Sequence, residues 1–89
     1  MYLTQESEMR STIEHLSSTN ILWVDTETAD WKTSNPKISL IQVLANSRDI
    51  SGESVYILDV LDRPKIVEYF VQQIMENAEI RKVFHNAVY

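Results

Sequence analysis

Asp25 and Glu27 close an apolar run, Ile21-Leu22-Trp23-Val24, with a single threonine between them. In an extended strand side chains alternate faces, so the two carboxylates point the same way, close enough to share a divalent cation; that is the raw material of hydrolytic metal chemistry. Spacing alone is uninformative: 13 acidic residues among 89 give about two i, i+2 acidic pairs at random, and the chain has two, the other being Glu6 and Glu8. Context separates them. Glu6 and Glu8 open a polar, helix-like stretch, whereas Asp25 and Glu27 end a strand with the composition of a core.

The elements that must position this pair follow from the hydrophobic pattern. Met9, Ile13 and Leu16 recur at helical spacing within residues 4–17, with Thr4 as the expected N-cap. Ile21–Thr28 reads as the first strand, and Ala29–Pro36, with Asp30, Ser34, Asn35 and Pro36, as a loop. Lys37–Ala45 alternates Ile38, Leu40 and Gln42 with Ser39, Ile41 and Val43, a strand with both faces partly covered. A connection containing the only glycine, Gly52, leads to a third strand, Val55–Asp59, expected to pair antiparallel with the second. Asp62 is placed to cap a second helix with Pro64 in its first turn and Ile66, Val67, Phe70, Val71 and Ile74 on its apolar face. Arg81–His85 then forms a short fourth strand, reached through a helical crossover and so able to lie parallel to the first. That placement would bring His85, Asn86 and Tyr89 beside Asp25 and Glu27. The outcome is an α/β protein with a mixed sheet: three antiparallel strands, a helix, and a fourth strand parallel to the first.

Composition sets the outer limits. With 44% hydrophobic and 24% charged residues the chain is an ordinary globular one, and its 89 residues allow one domain at most, with a thin core. The absence of cysteine excludes disulfides and thiolate metal sites. No basic start followed by an apolar stretch and no long apolar run occurs, so neither secretory nor membrane-spanning character is expected and a cytoplasmic protein is. A net charge of −5 argues against a broad basic grip on duplex nucleic acid, though not against an enzyme that holds one nucleic-acid end through bound cations.

Four segments, taken in order, resemble the DnaQ-like 3′–5′ exonucleases, the DEDD superfamily, and within it the ribonuclease D branch. The first motif of that family, an apolar strand ending in Asp-x-Glu, is matched by Ile21–Thr28. The strand pattern Pro-x-x-x-Leu-Ile-Gln-Val is matched by Pro36–Val43, and Val-Tyr-Ile-Leu-Asp by Val55–Asp59. The second catalytic motif, Lys-Val-Phe-His-Asn-Ala-x-Tyr followed by Asp, is matched at Lys82–Tyr89. The resemblance implies a ribonuclease H-like, DnaQ-like exonuclease fold and release of nucleotides from the 3′ end of RNA or DNA, with Mg²⁺ or Mn²⁺ at a two-metal site. It also implies that residues 1–89 are the N-terminal part of a single exonuclease domain. The second motif's Asp would follow Tyr89, and the third motif, with its Tyr or His and its final Asp, has no counterpart here.

On the family's pattern Asp25 would ligate both ions and Glu27 one of them, near the attacking water. Thr26 and Thr28 flank the acids where a terminal sugar could approach, a position β-propensity explains equally well. His85 could ligate or act as a base, but a strand-end hydrogen bond is the better account, and Asn86 and Tyr89 are read as positioning the site backbone or the substrate end. Gln42 is expected as a buried amide, Trp23 as core, and Trp31 either as a base-stacking residue or as a loop anchor. Two other readings compete. A haloacid dehalogenase-like phosphatase also starts from an apolar strand ending in two acids, but its second Asp and its Thr or Val are replaced here by Glu27 and Ala29. A non-catalytic remnant would instead bind nucleic acid or a complementary C-terminal half, or self-associate through apolar surface left exposed.

Overall fold

The hydrophobic pattern resolves into one sheet with both helices on the same side. The structure is a computed structural model and describes residues 1–29, 37–45 and 54–84. Its elements are β1 (Tyr2–Leu3), α1 (Glu6–Leu16), β2 (Ile21–Ala29), β3 (Lys37–Leu44), β4 (Val55–Asp59), α2 (Pro64–Phe70), a π-helical turn over Val71–Met75, and β5 (Arg81–Phe84). The sheet order is β1-β4-β3-β2-β5. The meander β2-β3-β4 is antiparallel, and β5, arriving through the helical crossover, runs parallel to β2 as its pattern requires. A two-residue strand, β1, pairs in parallel with β4; nothing in so short a segment marks it as a strand.

Helix α1 begins after Gln5, one residue later than Thr4, and no side chain caps it; Glu6 and Glu8 in its first turn face the positive end of its dipole. Its far end is closed by hydroxyls. Ser17, Ser18 and Thr19 donate from their side chains to the carbonyls of Glu14, His15 and Leu16 at 2.6, 2.8 and 2.7 Å, pairing acceptors that the helix itself leaves open. Asp62 does not cap α2 either: it takes a left-handed conformation, φ 58°, and its carboxylate pairs with Lys37 at 2.9 Å, leaving Arg63 in the cap position. Pro64 opens α2 as expected. Val71 is exposed rather than on the apolar face, because the chain there widens into i→i+5 bonding, with the Glu76 N–H donating to the Val71 carbonyl at 2.8 Å.

The core lies between the helices and one face of the sheet. Met9, Ile13 and Leu16 of α1, with Ile66 and Phe70 of α2 and Ile74 of the π turn, close over Leu3, Leu22, Val24, Ile41, Val43 and Leu58. All these strand residues share one face. As expected, both faces of β3 are covered in part, but unequally: Ile41 and Val43 are buried under the helices, whereas Leu40 and Leu44 are only half-buried on a face that no described helix covers. The two helices are also tied directly. The Tyr69 hydroxyl donates to Glu14 at 2.9 Å and the Arg10 guanidinium lies 5.1 Å from the Tyr69 ring centre. Among the described residues no helix is long and apolar enough to cross a membrane.

Candidate active site

The open face of the sheet carries the acid pair. Leu22 and Val24 turn into the core, so alternation sends Trp23, Asp25 and Glu27 outward together, with both carboxylates exposed. Their Cα atoms stand about 6.6–6.8 Å apart along a regular strand. Register sets the cross-strand neighbours: Trp23 lies beside Leu44 and Val83, Asp25 beside Gln42, and Glu27 beside Leu40, with Ile57 and Asp59 one strand further out. Two clefts flank Asp25. One, of about 350 Å³, runs from Trp23 to Phe84; the other, of about 260 Å³, is bounded by Glu27, Thr28, Ser39, Leu40 and Ile57.

Local hydrogen bonds fix the backbone that presents the acids. The Thr26 N–H donates to Asp25 Oδ1 at 2.9 Å, which holds the carboxylate against its own strand. Between Glu27 and Thr28 the register with β3 slips, passing over Ser39, and the Ser39 hydroxyl donates to the Glu27 carbonyl at 3.1 Å. A bulge of this kind increases the twist and re-aims the side chains beside it. Neither carboxylate is paired with a cation among the described residues; the ion pair found there, Lys37 with Asp62, lies elsewhere. Both acids present exposed carboxylate oxygens, the donor type that hard divalent cations take. They stand as a pair: among the described residues no group of three or more His, Cys, Asp or Glu side chains converges.

The residues singled out from the sequence divide accordingly. Thr28 edges the smaller cleft with Asp25 and Glu27. Thr26 contributes its backbone N–H, while its side chain, opposite buried Ile41, faces the helices. Trp23 is not core: it stands half-buried on the open face, because it has the same parity as Asp25. Gln42 is not a buried amide. It is exposed directly opposite Asp25, and its side-chain amide makes no hydrogen bond among the described residues. His85, Asn86, Tyr89 and Trp31 lie outside the described residues. Ser39 was not singled out by its sequence, since a serine in a strand carries no mark of a bulge.

Comparison with known proteins gives this geometry its setting. The whole chain, residues 1–89, matches the model of the 3′–5′ exonuclease family, and the chain belongs to that family. No curated protein matches it. Among solved structures, the catalytic core of RRP6 from Trypanosoma brucei superimposes with a TM-score of 0.74 at 19% identity, over 97% of this chain and 22% of that one. Escherichia coli RNase D, an exoribonuclease involved in structured RNA processing, gives 0.68 at 20% identity, over 97% of this chain and 21% of its own. Trypanosoma brucei RNase D in complex with RNA U12 gives 0.70 at 21% identity, over 96% of this chain and 30% of its own. The fold is thus that of the ribonuclease D-like exonucleases, and the chain spans 22%, 21% and 30% of these three chains. Family membership removes the phosphatase alternative.

Proposed function

We propose that this chain carries Asp25 and Glu27 as metal-holding residues of a 3′–5′ exonuclease, gripping Mg²⁺ or Mn²⁺ at the 3′ end of a nucleic acid. The observation behind the reading is the pair on one strand face, exposed, without a cationic partner among the described residues, and backed by a hydrogen-bonded bulge. Divalent ions bound there would stabilise charge on the transferring phosphoryl group and supply an activated water. The protein's own contribution is orientation. The Thr26 N–H restrains the Asp25 carboxylate, Ser39 pins the backbone of Glu27, and Thr28 borders the cleft where the terminal sugar would lie. The described part of β5 brings Phe84 beside Val24, and on the family's pattern His85, Asn86 and Tyr89 are retained as proposed contacts to the substrate end.

Two carboxylates leave most of a two-ion shell unfilled, and the reading needs further oxygen ligands from outside the described residues. That shortage favours a second reading, in which the chain by itself binds nucleic acid, or a complementary half, without turnover. The same assay separates the two. With Mn²⁺ added, amide signals of Asp25 and Glu27 should broaden selectively in NMR spectra, while a 3′-labelled RNA incubated with Mg²⁺ should release little or no mononucleotide. RNA is the first substrate because RNase D from Trypanosoma brucei is seen bound to it. Absence of selective broadening would overturn the metal-holding role. Processive, Mg²⁺-dependent release would overturn the second reading, in which the chain by itself does not turn over.

A further inference from the structure

Gln42 stands where the two clefts meet. It and Asp25 are the two residues that line both, forming the ridge between the Trp23 cleft and the Glu27 cleft. They are directly opposed across β2 and β3, so their Cβ atoms lie about 4.5–5.5 Å apart. The residues flanking Gln42 on this face of β3, Leu40 and Leu44, are half-buried leucines, and Ile57 lies beyond it on β4. An exposed amide in that row supplies no packing and, among the described residues, makes no hydrogen bond, so a structural role does not account for it.

Four of the six described Lys and Arg side chains are engaged elsewhere, and Lys65 sits on α2 in the helical layer. Lys37 pairs with Asp62, Arg63 donates to the Asp59 carbonyl, Lys82 to the Asn77 carbonyl, and Arg10 covers Tyr69. Arg81, opposite Ile21, lies four residues up the strand from Asp25. Among the described residues the donor nearest a phosphate held over Asp25 is thus a neutral one, and an amide N–H can bond a phosphate oxygen without repelling the cations that the acids hold.

We propose that Gln42 is a substrate-contacting residue, donating through Nε2 to a non-bridging phosphate oxygen of the terminal nucleotide; this rests on the reading of Asp25 and Glu27 as metal-holding residues. The test uses the full chain, guanosine 5′-monophosphate as probe, and Mn²⁺. Gln42→Leu, which extends the apolar row, should weaken the nucleotide about tenfold while leaving Mn²⁺ affinity without nucleotide within about twofold. Gln42→Asn, shorter by one methylene, should show the same loss and serves if the leucine variant folds poorly. Binding of guanosine, which lacks the phosphate, should not depend on residue 42. Unchanged nucleotide affinity, with Asp25→Asn still abolishing Mn²⁺ binding, overturns the Gln42 contact and leaves the acid pair standing. A Gln42 dependence that persists with guanosine, or a loss of Mn²⁺ affinity in Gln42→Leu, overturns the phosphate assignment. If the unsubstituted chain binds no Mn²⁺, both readings fall.

Discussion

Leu22 and Trp23 are neighbours in the chain and belong to different environments. Leu22 is fully buried under the helices, whereas Trp23 stands half-buried on the bare face, in line with Asp25 and Glu27. The same contrast divides the whole sheet. One face holds all of the buried strand residues, and the other holds the acids, Gln42 and a set of half-covered apolar side chains. One face thus gains stability from burial, and the other keeps its polar side chains accessible. Carboxylates placed in the helix-covered face would be desolvated at a cost of several kcal/mol each, and a metal ion could not reach them.

The contrast can be broken most directly with that adjacent pair. Leu22→Ala should cost about 2–5 kcal/mol, a large part of the stability usual for a folded chain. Trp23→Ala removes a larger side chain and should nevertheless cost less; urea melts that rank the two the other way would show that the open face is packed. Replacing both acids, Asp25→Asn with Glu27→Gln, should change stability by no more than about 0.5 kcal/mol. The same double variant should lower Mn²⁺ affinity by more than the roughly 10–100-fold that follows loss of a mere supporting partner. Calorimetric titration with intact metal binding would remove the pair from any catalytic role.

Smaller effects sharpen the picture at each face. Ser39→Ala deletes the hydroxyl that pins the bulge at Glu27 and should cost about 0.5–1.5 kcal/mol, with a shift of the Glu27 and Thr28 amide resonances as the diagnostic. The smallest effect belongs to Tyr69→Phe on the helical layer. The hydrogen bond to Glu14, and then partial desolvation, raise the Tyr69 phenol above its ordinary value of 10.0. The folded state thus holds that proton more tightly than the unfolded chain. Its contribution is complete below pH 10 and is lost as pH rises through the raised value, so the variant should flatten the alkaline limb of a plot of Tm against pH. An unchanged alkaline limb would mean that the contact between the helices contributes nothing.

Residues carrying strong local signals are read from the chain alone. The stripe Met9-Ile13-Leu16 could only be one face of a helix, and Val55–Asp59 forms the strand its β-branched and aromatic residues favour. The parity of Asp25 and Glu27 is likewise a property of the strand itself, because alternation is built into extended backbone. Where several segments compete for one role, local pattern fails. Asp62 had the chemistry of a cap but found Lys37 across the fold, and Gln42 and Trp23 looked like core until the helices were seen to lie on one side only. Which face of a strand is buried is not a property of that strand; it depends on where distant helices pack, and on a register that only the partner strand can set. The acid pair was therefore written in the chain, while its exposure, its bulge and its neighbour Gln42 were settled by long-range pairing.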